Sequence, residues 1–166
     1  MTSRHRHVVH VDEVTPTRLD RAAHAFTRRQ LGAAAGGRGL GCSHMEVPPG
    51  KTAWPRHYHA ANEEALFVLA GEGTLRLGDA EITVRAGDYV ALPPGPDAAH
   101  QLTNHGQETL CYLALSTMLP VEVTVYPDSA KVGVMAGAGP GGNKQERYLE
   151  RALPLDAAVD YWKGEG

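Results

Sequence analysis

The chain of 166 residues predicts an all-β fold, an antiparallel sandwich or barrel, on three observations. From residue 40 onward it consists of short apolar or alternating runs, at 41–47, 65–71, 74–78, 81–87, 89–95, 109–117 and 121–127. Gly, Pro, Asp and Asn punctuate these runs at near-regular intervals, as expected of strands joined by turns. No helical segments alternate with them, which argues against a parallel sheet with crossover helices.

The lead segment is different in kind. Residues 1–40 carry seven arginines against three acids, whereas the remainder carries nine bases against sixteen acids, so a basic and loosely held segment precedes an acidic body. Within 17–31, Leu19, Ala22, Ala23 and Phe26 recur at helical spacing and predict a short amphipathic helix, which the Gly-rich residues 32–41 end. Further on, Leu75 and Leu77 alternate with Thr74 and Arg76, and Gly78-Asp79 turns the chain into Ile82 and Val84, which predicts a hairpin. After Tyr126 the chain becomes Gly-rich through 133–143. It then continues without a sustained period, as an arm that packs on the barrel or on a second subunit.

Composition limits the function classes. The length suits one domain, no apolar run approaches the roughly 18–20 residues of a membrane span, and the net charge of -3 makes no case for nucleic acid. One helix in the lead segment also falls short of a helix-turn-helix pair. Arg28-Arg29 and Leu40-Gly41-Cys42 are similar to export signals, but the Gly/Ala stretch between them holds Arg38 and lacks an apolar core. Cys42 and Cys111 lie far apart without C-x-x-C spacing, which predicts buried free thiols in a reducing cytoplasm.

The chemistry concentrates between residues 56 and 71. His57 and His59 are two apart, so on a strand both imidazoles leave one face and can converge on one ion. Glu63 and Glu64 are adjacent and point to opposite faces, so only one joins them, and spacing alone does not say which. A third nitrogen has to come from His44, His100 or His105. Three or four such donors with a position left open describe a catalytic type of metal site.

Two motifs now resemble a known family. Gly50, His57, His59, Glu64 and Gly71 are similar to the first signature of the cupin superfamily; Gly87, Pro93, Gly95, His100 and Asn104 are similar to the second. The departures are one extra residue before His57 and two before His100, both in loop-like stretches that tolerate insertion. The resemblance is to small single-domain bacterial cupins. It implies a jelly-roll barrel over 40–126, with an N-terminal extension at 1–39 and a C-terminal arm at 127–166. It also implies that His57, His59, Glu64 and His100 surround one divalent ion, choosing Glu64 over Glu63 and His100 over His105. Asn104 is then expected to hold the turn. Iron or manganese is favoured, with zinc, nickel, cobalt or copper compatible.

Such a site suits a small-molecule metalloenzyme, a dioxygenase, isomerase, lyase or hydrolase, with Glu64 or a nearby tyrosine moving a proton. The alternative is a module that binds or senses a polar ligand without turnover. The expected setting is a cytoplasmic homodimer without nucleic-acid or membrane partners. Among the other residues, His44 is expected to be a satisfied structural histidine and His105 an exposed turn. His5, His7 and His10 belong to a terminal cluster expected to be mobile. Trp54, Phe67, Tyr89 and Tyr112 are expected in the core, and Arg56 and Arg76 at solvated strand ends.

Overall fold

The computed structural model describes residues 4–166. Among the described residues the strands are β1 (Thr17–Arg21), β2 (His24–Gln30), β3 (Leu40–Val47), β4 (Tyr58–His59), β5 (Glu64–Ala70), β6 (Glu72–Leu77) and β7 (Ala80–Arg85). They continue with β8 (Tyr89–Leu92), β9 (His100–Thr103), β10 (Leu110–Thr117), β11 (Val121–Tyr126), β12 (Lys131–Ala136) and β13 (Leu149–Pro154). One short helix, α1 (Leu31–Ala34), interrupts them.

A six-stranded sheet of order β1-β2-β3-β10-β5-β8 packs against a three-stranded sheet β7-β6-β9, and a four-stranded sheet β13-β12-β11-β4 adjoins them. The named strands pair antiparallel, and β10 lies between β3 and β5, a jelly-roll order. One core cluster fills the space between the sheets. Phe26, Met45, Val47, Leu66, Val68, Leu110 and Tyr112 come from one side, and Leu75, Val84 and Leu102 from the other. The hairpin predicted at Gly78-Asp79 is β6–β7, with Leu75 opposite Ile82.

The helix expected over 17–31 does not form. Those residues make β1 and β2, which pair with Leu19 opposite Phe26, and β2 then joins β3. This places Ala25 and Phe26 in the interior, at 6% and 4% exposure. Burying one Phe contributes about 1.5–3 kcal/mol, which outweighs helix-propensity differences of a few tenths of a kcal/mol per residue. The turn between the strands puts Ala22 at φ 51, a left-handed conformation that costs an L-residue about 1–2 kcal/mol. Ala22→Gly is therefore expected to stabilise the fold by about 0.5–1 kcal/mol after glycine's entropy cost, raising the melting temperature by about 1–4 °C. A thermal scan showing no gain would contradict this strain.

Other expectations also change. The lead segment lies against α1, with His7 Nδ1 2.8 Å from the Ala35 carbonyl. Tyr112 is core, but Phe67 and Tyr89 pair across β5 and β8 on the outer face, 37% and 63% exposed, because inner and outer residues alternate there. Cys42 and Cys111 are free but only half-buried. The chain after Tyr126 extends the four-stranded sheet through β12 and β13, and β13 is exposed along its whole length. Among the described residues, no helix is long and apolar enough to cross a membrane.

Candidate metal centre

Each histidine of the site arrives from a different local device. His57 precedes β4 and pairs through its backbone with His100, in N–H to O=C bonds of 3.1 and 2.8 Å, so these two side chains start side by side. His59 ends β4, which β11 holds in register with Thr124 opposite His59. Glu64 opens β5 opposite Leu92 and Ser116. Leu92 is 2% exposed, so this register turns Glu64 inward and leaves Glu63 exposed. The choice between the two glutamates is thus a matter of strand register.

The donor atoms meet. Glu64 Oε2 lies 3.2 Å from His59 Nε2, 3.5 Å from His100 Nε2 and 3.9 Å from His57 Nε2. Donor atoms of His57, His59 and Glu64 all lie within 4.8 Å of one another. Ligands about 2.0–2.2 Å from a shared ion stand roughly 3–3.5 Å apart, so these separations are close to those of a ligand shell. His59 Nε2 is buried without a hydrogen-bond partner, an orphaned atom that an ion would satisfy.

The opposite ring nitrogens are tied back. His57 Nδ1 donates to the Pro55 carbonyl at 2.8 Å and His100 Nδ1 to the Ala98 carbonyl at 2.9 Å. His59 Nδ1 faces the Glu122 carboxylate at 3.4 Å, with Thr124 Oγ1 also at 3.4 Å. A carbonyl can only accept, so for His57 and His100 the proton sits on Nδ1 and the Nε2 lone pair points inward.

Glu122 was not anticipated. It sits in the alternating run of β11, where apolar residues would ordinarily face the core, yet here Val121 is exposed while Glu122 and Thr124 are buried. Its carboxylate accepts the backbone N–H groups of Ala60, Ala61, Asn62 and Val123 at 2.8–3.1 Å, together with the Asn62 side chain. Those bonds fix the loop between His59 and Glu64. Only the pairing of β11 with β4 brings this carboxylate behind His59; no local motif marks it.

The electrostatics follow from this packing. Burial disfavours the His59 cation, but the Glu122 and Glu64 carboxylates outweigh it and push the imidazole up to about 9. Burial, with His100 alongside, pushes His57 down to about 4. Burial would also favour a neutral Glu64, yet the His100 and His59 imidazoles beside it hold its carboxyl well below the usual range. At pH 7, then, Glu64 is ionised, His57 is neutral and His59 carries the proton that an incoming ion must displace. The apparent metal affinity is expected to rise about tenfold per pH unit up to about pH 9, with about one proton released per ion. Chelator competition at three pH values, or direct titration of released protons, measures that slope; a flat profile between pH 6 and 8 would refute the assignment.

The remaining sequence candidates lie elsewhere. His44 is on the outer face of β3, its Nδ1 buried and without a hydrogen bond, so it is not the satisfied histidine expected. His105 is exposed and bonds Thr74. Arg56 and Arg76 both hold Asp128, at 3.3 and 3.0 Å. Asn104 is fully buried and closes its turn through Val47, Gly106 and Glu108. A surface cleft of about 430 Å³, lined by Gly71, Glu72, Arg85 and Glu108, lies at the opposite end of β5 from Glu64 and contains no histidine.

This fold corresponds to a known family. A family profile described as a cupin domain matches residues 43–116, so the chain contains a cupin domain over that segment. No curated protein matches the sequence. Among solved structures, a sugar phosphate isomerase candidate from Acidithiobacillus ferrooxidans is 25% identical with a TM-score of 0.76, covering 90% of this chain and 91% of its own. A protein described as a cupin sugar phosphate isomerase from Silicibacter pomeroyi is 22% identical at 0.77, covering 91% and 94%, a likeness of fold. A polyketide cyclase from Streptomyces resistomycificus is 25% identical at 0.58, covering 70% and 80%.

Proposed function

We propose that this chain is a metal-dependent enzyme acting on a small polar organic molecule, with His57, His59, Glu64 and His100 holding one divalent ion. The observation that carries this reading is the convergence of three imidazole Nε2 atoms within 3.9 Å of one Glu64 oxygen. When bound, the ion polarises a substrate oxygen and lowers its pKa. The mixed nitrogen and oxygen donors suit iron or manganese, and also zinc, nickel, cobalt or copper. Glu122, the Pro55 carbonyl and the Ala98 carbonyl keep the imidazoles aimed, and the ionised Glu64 is available to accept a proton from the substrate.

Isomerisation is the favoured reaction among the dioxygenase, isomerase, lyase and hydrolase classes. The likeness to the sugar phosphate isomerase candidate extends over 90% of the chain, extensions included. A homodimer in the cytoplasm fits the exposed apolar surface and the free thiols. Phe67 and Tyr89 on the outer sheet face, and Tyr148, Tyr161 and Trp162 at 72–81% exposure on the arm, offer area for a second copy. Elemental analysis of tag-free protein, followed by a turnover screen of sugar phosphates and hydroxy acids with the metal found, tests the enzyme reading. Saturable binding without product would instead make it a sensing module, and a compact monomer in solution scattering would end the dimer reading.

A further inference from the structure

One charged group on the interior face has no use in the metal centre. Arg28 lies on β2 opposite Met45, which is 1% exposed and opposite the buried Tyr112, so its side chain shares the inner face with Glu64. Its Nε donates to Ser43 Oγ at 3.0 Å, and Ser43 is itself 5% exposed. Among the described residues, no carboxylate comes within ion-pair distance of this guanidinium. Among the described residues the two Nη atoms have no hydrogen-bond partner, and they retain accessible surface. Arg29, the next residue, faces the other way and is paired with Glu46 at 3.0 Å.

An arginine on an inner face without a counter-ion is costly unless something brings one. Burial lowers its pKa, while Glu64 and Tyr112 are the neighbours that favour its charge. The Gly-rich segment after β12 is shaped around it. A Cβ at Gly141 would come within 2.8 Å of Arg28 Nη2, and Gly141, at φ +81, offers its carbonyl to Gln30 Nε2 at 2.7 Å. Any other residue at 141 would be strained and would press on the guanidinium. Arg147 holds the same segment through the carbonyls of Ala138 and Gly139, at 2.9 and 2.7 Å. The chain thus builds a cover that rests against the Arg28 fork without a side chain at 141.

We propose that Arg28 is the substrate's anion-recognition residue: it takes the carboxylate or phosphoryl oxygens of a small organic anion whose other oxygen reaches the His57, His59, Glu64 and His100 centre. The assignment rests on the enzyme reading above and narrows it to anionic substrates. A planar guanidinium with two free Nη groups matches such oxyanions bidentately. Arg28 also lies outside residues 43–116, so this specificity is contributed by the N-terminal extension and not by the cupin domain itself.

The test titrates glycolate and orthophosphate into manganese-loaded protein, with ethylene glycol as the neutral control. Wild type, Arg28→Met, Arg28→Lys and Ser43→Ala are compared by calorimetry, each checked for metal content and melting temperature. Arg28→Met is expected to weaken anion binding about 10–100-fold, with metal content unchanged. Arg28→Lys retains part of the affinity, and Ser43→Ala, which keeps the charge but frees the side chain, gives a smaller loss. Preference for glycolate assigns a carboxylate; preference for orthophosphate assigns a phosphoryl group. Binding of neither anion to wild type, or affinity of Arg28→Met within twofold of wild type, overturns the proposal. A protein that takes up no ion yet binds the anion through Arg28 would sink the metal reading and leave this one standing.

Discussion

Replacing Glu122 with Gln is expected to destabilise the metal-free protein by about 3–5 kcal/mol, the cost of breaking a buried charge pair. For a chain of this length that lowers the melting temperature by roughly 6–20 °C. The size of the effect comes from what surrounds the carboxylate. It is 1% exposed, accepts four backbone N–H groups and the Asn62 amide, and faces His59 Nδ1 at 3.4 Å. Gln has the same shape but turns one acceptor oxygen into a donor, so a donor meets donors. The loop from Ala60 to Asn62 loses its anchor, and His59 loses the group that orients it. Affinity for manganese or zinc should fall about 10–100-fold, the usual cost of removing the outer partner of a ligating histidine. Thermal unfolding reads the first effect and chelator competition the second. A variant within 1 kcal/mol and twofold of wild type would mean that Glu122 is a bystander.

His100→Gln is expected to reduce metal affinity at least about 100-fold, beyond the loss caused by disturbing an outer partner. The fold should survive, because His100 contributes mainly backbone bonds to its surroundings, to His57 and to β6. The informative comparison is with the other histidines. His105→Ala, on an exposed turn, and His44→Ala, on the outer face of β3, are expected to leave affinity within about twofold. If His44→Ala or His105→Ala matched the loss of His100→Gln, the centre would have a different composition from the one described.

Much of the site was legible because its signals are local. His57 and His59 are two positions apart, and that spacing on an extended chain dictates a common face whatever the rest of the protein does. Asn104 bonds Gly106 and Glu108 within its own turn, a local part of its role, although it also reaches the Val47 carbonyl. The punctuation by Gly and Pro likewise marks where strands end, since those residues act through their own backbones. Local signals failed where two periodicities compete. Leu19, Ala22, Ala23 and Phe26 fit a helix, but a strand that reaches β3 buries Phe26, and the tertiary contact decides. Along β11 the reasoning inverts: the valines suggest an inward face, yet the inward positions belong to Glu122 and Thr124, because the donors of the loop at 60–62 await a carboxylate.

The amino-acid order by itself determined a β-rich chain with a cupin-type pair of motifs, and with it the identity of the inward-facing histidines. The common face of His57 and His59 is a consequence of short spacing, which acts over a few bonds, whereas the choice of His100 rested on the resemblance of the second motif. Only the tertiary structure decided that Glu122 from β11 stands behind His59, and that Arg28, from a strand that the sequence presented as a helix, shares the inner face with Glu64. Such partners are set by strand register between segments up to 65 residues apart, as for Thr124 and His59, and a one-residue slip would exchange inner and outer faces.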